Sequence, residues 1–131
     1  RWTPYKNDIS TTVSRVPALL SEVEAVVSAN YPDFEIIWFG HIGDGNVHLN
    51  ILKPEAMAMD EFQRRCGEVS EGVFDAVARH GGSISAEHGV GLLKKPYLRF
   101  SRSAAEIALM AQIKRVFDPD GIMNPGKLLD A

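Results

Sequence analysis

Residues 35–52, EIIWFGHIGDGNVHLNIL, contain two runs of strand-forming residues separated by a glycine-rich turn. The runs at 34–42 and 46–52 are rich in β-branched and aromatic residues, which favour extended backbone. The Asp44-Gly45 pair between them is a strong hairpin signal, because a type I′ turn needs positive φ at both central positions. The segment therefore predicts a β-hairpin with a two-residue loop at 44–45.

Two histidines lie in this predicted hairpin. A loop at 44–45 would set His41 directly opposite His48, with Cβ atoms about 4.5–5.5 Å apart. Asn50 would share their face, because alternate residues of a strand point the same way. Moving the loop to 43–44 makes the histidines diagonal neighbours and keeps them on one face. The two imidazoles either belong to one site or are ordinary polar residues on the solvated face of a sheet.

Periodic apolar residues predict a helix on each side of the hairpin. The first helix is predicted from Ser14 as N-cap to Asn30, with Pro17 in its first turn. The second is predicted from about Asp60 to the Gly81-Gly82 stop. The predicted core-facing residues of these two helices are Val16, Leu20, Val23, Val27, Phe62, Cys66, Val69, Val73 and Val77.

The remaining elements complete a recognisable order. Strands are predicted at 7–13 and at 83–87, and SAAE at 103–106 has the form of a capping box that opens a third helix through about Val116. The order is βαββαβ followed by an extra helix. It predicts an α+β, ferredoxin-like fold, with helices on one face of an antiparallel sheet. The other face is left for a ligand, a partner or solvent.

Composition limits the class of protein. The 131 residues, 45% hydrophobic and 24% charged with a net charge of −3, predict one globular domain over 1–131 and give no electrostatic case for nucleic-acid binding. A single cysteine excludes an internal disulfide framework. The sequence has no apolar run near the roughly 18–20 residues of a transmembrane segment, and its start does not resemble a signal peptide. We expect a cytoplasmic protein, with peripheral membrane attachment of a full-length form left open.

A third group is expected to join the histidine pair. Glu87 and His88 end the predicted strand at 83–87 and should point to opposite sides of it. Two imidazoles and one carboxylate are a common ligand set for catalytic zinc and leave a coordination position free. Manganese, cobalt or iron suit the same ligands. The spacing of His41 and His48 does not match a standard metalloprotease motif.

Four separated stretches resemble one family. GHIGDGNVHLN at 40–50, SAEHGVGLLKKPYL at 85–98, IKRVFDPDGIMNPGKLL at 113–129 and YKNDIST at 5–11 resemble the C-terminal domain of FAD-linked oxidases. These are the D-lactate, glycolate and D-2-hydroxyglutarate dehydrogenases of the vanillyl-alcohol-oxidase-like flavoproteins. The resemblance runs from about Tyr5 to the end of the chain.

The resemblance implies an activity and a set of roles. In such enzymes C2 of a D-2-hydroxy acid passes a hydride to flavin N5, and a divalent metal, usually zinc, polarises the substrate oxygens. His88 would be the general base that takes the hydroxyl proton, a task that suits an imidazole. The implied metal ligands are His41, His48 and Glu87, and the implied substrate-binding residues are Lys6 and Asn50.

The family's FAD-binding domain lies upstream and is absent from this sequence. GHIGDG precedes a strand rather than a helix, so it fails as a dinucleotide-binding fingerprint. The resemblance therefore implies the substrate- and metal-binding part of an FAD-dependent D-2-hydroxyacid dehydrogenase, whose FAD is bound mainly by its own upstream domain. Alone it should turn over nothing. Asn124 and Lys127 either face the flavin or form a turn with a surface lysine.

Other conspicuous residues are given structural roles. Cys66 is expected in the core, Trp38 in packing opposite His41, and His80 in the last turn of the second helix. The pair at 94–95 is expected to be two solvated surface lysines. The alternative to the enzyme hypothesis is a non-catalytic ferredoxin-like binding or assembly module. The sequence specifies neither the hydroxy acid nor the electron acceptor.

Overall fold

The computed structural model of the chain describes residues 4–130; the predicted domain also includes residues 1–3 and 131, which lie outside the described part. The strands and helices follow the predicted order as far as the second helix. In chain order they are β1 Tyr5–Ser10, α1 Val16–Asn30, β2 Glu35–His41, β3 Asn46–Leu52, α2 Met59–Arg79 and α3 Ala104–Phe117.

The sheet confirms the α+β class. β3 lies between β1 and β2 and pairs antiparallel with both, the arrangement of a split βαβ unit. The predicted strand at 83–87 is reduced to an isolated bridge, in which Ser10 and Ser83 exchange backbone hydrogen bonds of 3.0 and 2.9 Å. Pairing stops there because the groups that would form the next ladder bonds are engaged elsewhere: the Ser85 N–H donates to Ser83 Oγ at 3.3 Å, and Asp8 O accepts from Lys94 Nζ at 3.0 Å. The sheet within residues 4–130 therefore has three strands, and the bridge lies at the edge of β1.

The start of α1 differs from the prediction. β1 ends at Ser10 rather than residue 13. The Thr11 N–H still donates to Gly45 O at 3.0 Å, in register with β3, and the chain leaves the sheet after it. A 3₁₀ turn then covers Val13–Arg15, so Ser14 is not the N-cap. The N-cap is Arg15, which makes no side-chain capping bond.

The core lies between the sheet and the two long helices. Every residue of the apolar stripe predicted for α2 is buried. In α1, Leu20 was predicted to face the core but is only half-buried, and its neighbour Leu19 is buried instead. Strand residues complete the same core by alternation. The core-facing residues of the sheet are Ile9, Val47, Leu49, Ile51, Ile36 and Trp38. The side of the sheet turned away from α1 and α2 is called the open face below.

The hairpin loop is longer than predicted. Its residues form a 3₁₀ turn over Ile42–Asp44, closed by the Gly45 N–H donating to Ile42 O at 3.1 Å. The predicted type I′ turn is wrong because only Gly45, and not Asp44, adopts positive φ. His41 consequently pairs with Asn46, and His48 pairs with Phe39. The shift is two residues, so the predicted faces are retained.

Gly45 should be a sensitive position of this loop. It has φ +70°, and a Cβ there would overlap the Thr11 carbonyl oxygen. Gly45→Ala is therefore expected to lower the free energy of unfolding by at least about 2 kcal/mol, measured by urea denaturation. Gly43→Ala is the matched control, because no atom lies within 4 Å of its added Cβ. Equal stability of the two variants would contradict this account of the loop.

α3 differs from the other helices in its packing. Its predicted capping box is present, with Glu106 N–H donating to Ser103 Oγ at 3.3 Å and Ser103 N–H donating to Glu106 Oε2 at 2.7 Å. None of its side chains is buried, and Val116 and Phe117 are 77% and 76% exposed. No helix in residues 4–130 is long and apolar enough to cross a membrane.

Candidate metal and substrate site

The open face carries the predicted site residues in cross-strand rows. Lys6 of β1 pairs with Asn50 of β3, and the next row joins Asp8 to His48. On the other side of β3, His48 is paired with Phe39, whose ring stacks on the imidazole with centroids 4.9 Å apart. Side chains of one row point to the same side of a sheet. Lys6, Asn50 and His48 therefore share one surface.

The two hairpin histidines lie on this face but in different rows. Their ring centroids are 6.2 Å apart and the rings are nearly perpendicular, at 89°. The predicted direct pairing of His41 with His48 is wrong, because the longer loop moves His41 next to the turn. His48 is largely covered, with 12% of its side chain exposed, whereas His41 is exposed.

The segment after Ser83 brings Glu87 and His88 over the end of the sheet. Glu87 Oε1 lies 3.3 Å from His48 Nε2 and 3.5 Å from His88 Nε2. The expectation that Glu87 and His88 face opposite ways is wrong, because this segment is a bend rather than a strand and strand alternation does not apply. Both side chains point into one cluster.

Four residues in this cluster offer ligand atoms that lie within 4.8 Å of one another: Asp8, His48, Glu87 and His88. His41 is adjacent but not among them. Imidazole nitrogens and carboxylate oxygens are the donors that zinc, manganese and iron take from proteins. One buried carboxylate oxygen, Asp8 Oδ1, has no hydrogen-bond partner. The donor set of two imidazoles and two carboxylates fits a divalent cation.

Asp8 is the site residue that the sequence reasoning missed. It is 5% exposed, and its Oδ2 accepts hydrogen bonds from the backbone N–H groups of Glu87 and His88, each at 3.0 Å. Burial opposes its ionisation, but these hydrogen bonds, together with the charges of Lys94 and His88, outweigh that effect and leave the pKa of the carboxyl below its usual value. The available signal was strand parity, because Asp8 stands two residues after Lys6.

Lys94 was predicted to be a solvated surface lysine, and this is wrong. Its half-buried ammonium donates to Asp8 O at 3.0 Å and to Ile84 O at 2.7 Å. Burial lowers the pKa of Lys94, against the opposing attraction of the Asp8 carboxylate. Lys94 thus ties β1 to the segment that carries Glu87. Its neighbour Lys95 donates to Gly126 O at 2.8 Å.

A cavity of about 630 Å³ opens at this cluster. It combines a lysine and an amide, which recognise carboxylates, with imidazoles that can accept a proton. The volume suits a small molecule. The lining residues used in the argument are Lys6, Asp8, His48, Asn50, Glu87 and His88.

A second cavity, of about 600 Å³, adjoins the first through Gly89, Val90 and Gly91. Asn124 and Lys127 line it, and Lys127 Nζ donates to Asn124 Oδ1 at 3.2 Å. Both residues are exposed. The role of Asn124 and Lys127 toward a flavin stays a prediction. The structure places both residues on the surface beside the first cavity.

Cys66, Trp38 and His80 have structural roles, as predicted. Cys66 is buried, and burial raises the pKa of its thiol to about 12. Trp38 packs against the core, and its indole N–H donates to Glu24 Oε1 at 2.8 Å. His80 caps the C-terminus of α2, with its Nε2 2.7 Å from Glu22 Oε2.

The fold and the cluster define an α+β domain with a ligand-sized cavity, into which several titratable side chains converge, on the sheet face that the helices leave free. The chain belongs to the family described as FAD linked oxidases, C-terminal domain, whose model matches residues 1–128.

Curated relatives agree with that family. The D-2-hydroxyglutarate dehydrogenase of Stutzerimonas stutzeri (strain A1501) is 64% identical over 130 residues, which cover 99% of this chain and 28% of that protein. That of Xanthomonas citri pv. viticola is 54% identical, with the same coverage. The mitochondrial D-2-hydroxyglutarate dehydrogenase of Arabidopsis thaliana is 37% identical over 127 residues, which cover 95% of this chain and 21% of that protein. The chain spans less than a third of the length of these relatives.

Proposed function

We propose that this chain is the substrate- and metal-binding domain of an FAD-dependent D-2-hydroxyacid dehydrogenase, which oxidises a D-2-hydroxy acid to the 2-oxo acid. The observation that carries the proposal is the convergence of His48, Glu87 and His88 with Lys6 and Asn50 around one cavity. Membership of the FAD-linked oxidase family supports the same activity. The names of the relatives favour D-2-hydroxyglutarate as the substrate.

A divalent metal, zinc by preference, would be held by His48 and Glu87 together with His41. The 3.3 Å between His48 Nε2 and Glu87 Oε1 supports a shared cation, and His41 adjoins them on the open face. When bound, the cation would supply a Lewis acid that lowers the pKa of a coordinated hydroxyl group.

The chain's own residues would bind and deprotonate the substrate. The Lys6 ammonium and the Asn50 amide would hold a carboxylate on the open face. His88 would accept the hydroxyl proton at Nε2, the ring nitrogen nearer Glu87. Phe39, stacked on His48, would keep that imidazole in place. These groups account for binding and proton removal.

The hydride acceptor would be FAD bound by an upstream domain of the same protein. We propose that this domain covers α3 and the second cavity. The support is the exposed apolar surface there, which includes Phe117 and Ile122 at 76% and 77%, and the presence of Asn124 and Lys127 at the cavity. The greater length of the relatives is consistent with such a domain. The chain alone is not expected to turn over.

Flavin reduction in a protein that joins this chain to its upstream domain tests the function. Anaerobic addition of D-2-hydroxyglutarate should bleach the flavin absorbance, and the L-enantiomer should not. Lys6→Met is expected to raise KM about 10–100-fold, because it removes a charged hydrogen bond to the substrate. Lys53→Met removes the same charge outside the first cavity and is the matched control. Flavin that no D-2-hydroxy acid reduces would contradict the proposal.

A further inference from the structure

We propose that Asp8 is a positioning residue, which holds the backbone at 87–88 and fixes the tautomer of His48 so that Nε2 presents its lone pair to the cluster. The inference deepens the proposed function and rests on it for the identity of the cluster. Its geometry concerns only residues of this chain. Asp8 acts by positioning other residues rather than by direct contact with the substrate.

The contacts of Asp8 Oδ2 hold the backbone at 87–88. This oxygen accepts from Glu87 N and His88 N at 3.0 Å each. Ser85 Oγ lies 3.3 Å away, but its single proton has a nearer acceptor in Gly89 O at 2.9 Å. Two backbone donors on one oxygen fix both the carboxylate and the bend that carries Glu87 and His88. Hydrogen bonds to a charged acceptor are stronger than those between neutral groups, so the bend depends on this side chain.

The other oxygen of Asp8 acts on the tautomer of His48. Asp8 Oδ1 is buried without a hydrogen-bond partner and lies 3.7 Å from His48 Nδ1. This distance is too long for a hydrogen bond but allows a charge–dipole attraction between the carboxylate and an imidazole N–H. A neutral imidazole carries one ring proton, and its other nitrogen offers a lone pair. A proton on Nδ1 faces the buried oxygen and leaves the lone pair on Nε2.

Glu87 Oε1 competes for the same proton, because it lies 3.3 Å from His48 Nε2. The competition favours Asp8 on grounds of solvation. The Glu87 side chain is 43% exposed and can be hydrated, whereas the Asp8 side chain is 7% exposed. The free-energy cost of leaving a carboxylate oxygen without a hydrogen-bond donor is larger when the oxygen is buried than when water hydrates it. The Nδ1–H tautomer follows, with Nε2 free as a ligand atom.

Asp8→Asn separates this role from simple packing. The backbone N–H groups of Glu87 and His88 require an acceptor, so the amide oxygen should take the place of Oδ2. The amide NH₂ then faces His48 Nδ1, which must become an acceptor. The ring proton should move to Nε2 and block the nitrogen that a metal needs. An altered carboxylate behind a metal-binding histidine typically lowers metal affinity about 10–100-fold.

The experiment is ¹H–¹⁵N correlation NMR of the His48 ring in the metal-free chain, at a pH where the ring is neutral. We expect Nδ1–H in the wild type and Nε2–H in Asp8→Asn. Hydrogen exchange of the Glu87 and His88 amides should stay slow in Asp8→Asn, which confirms an intact bend. Ser85→Ala removes a hydroxyl beside Asp8 whose nearer acceptor is Gly89 O, so it should keep the wild-type tautomer.

Three results would overturn the proposal. One is Nε2–H in the wild type, which needs no variant. Another is Asp8→Asn with the bend intact and the wild-type tautomer. The third is an Asp8→Asn variant that binds zinc more weakly while His48 keeps its Nδ1–H tautomer, which would make Asp8 a metal ligand. A wild-type chain with the expected tautomer that binds no zinc supports the role of Asp8 and contradicts the proposed metal site, so the two failures are distinguishable.

Discussion

Replacing His88 with alanine is expected to lower kcat by about 10²–10⁴-fold in the protein that joins this chain to its flavin domain, because a positioned general base contributes that much. The reason is local. His88 is the imidazole of the cluster with most access to an incoming molecule, with 68% of its side chain exposed and Nε2 at the first cavity. Removing so exposed a ring should leave the fold intact. Steady-state kinetics with D-2-hydroxyglutarate measures the effect.

His80→Ala is the control for this prediction. It removes another imidazole that lies beside a glutamate, at the end of α2 and outside the first cavity. Its kcat should stay near that of the wild type. If His88→Ala kept kcat within about threefold of the wild type, the role of His88 as base would be wrong. Loss of the bound metal in His88→Ala would instead place His88 among the ligands.

The second large effect is expected from His48. His48→Ala should lower the affinity for zinc by at least about 100-fold, since removing a ligand should cost no less than disturbing the group behind it. His48 is the ring that adjoins Asp8, Glu87, His41 and His88. Competition with a chromogenic chelator measures the affinity. His80→Ala, which removes a similarly covered histidine, should bind zinc like the wild type.

Much of the fold followed from local patterns. The stripe from Phe62 to Val77 repeats at helical spacing, and every member is buried in α2. The capping box at Ser103 needs only two side chains and their own backbone, so it forms as predicted. The open face was predictable because strand alternation does not depend on how the loop closes. Lys6, His48 and Asn50 therefore share a surface in any register that preserves parity.

The misses concern contacts between distant parts of the chain. The Asp44-Gly45 pair favours a tight turn locally. The structure has a longer loop there, with a 3₁₀ turn over Ile42–Asp44, and the Thr11 N–H donates to Gly45 O. Segment 83–87 has a strand-like composition, but its backbone N–H groups bind side chains rather than a strand. The Ile84 N–H donates to Ser101 Oγ, and the Glu87 N–H donates to Asp8 Oδ2. Asp8 and Lys94 look like solvated charges in the sequence. Both are covered only because the chain after Ser83 folds back over β1.

The number of zinc ions per flavin in the protein that joins this chain to its flavin domain tests the central claim most directly. We predict about one zinc per flavin in the wild type and in His80→Ala, as expected for one catalytic site with an open coordination position. His48→Ala and Glu87→Ala should lose that zinc while keeping the flavin. An unchanged zinc-to-flavin ratio in both variants would contradict the claim that the imidazole and the carboxylate on the open face hold the metal.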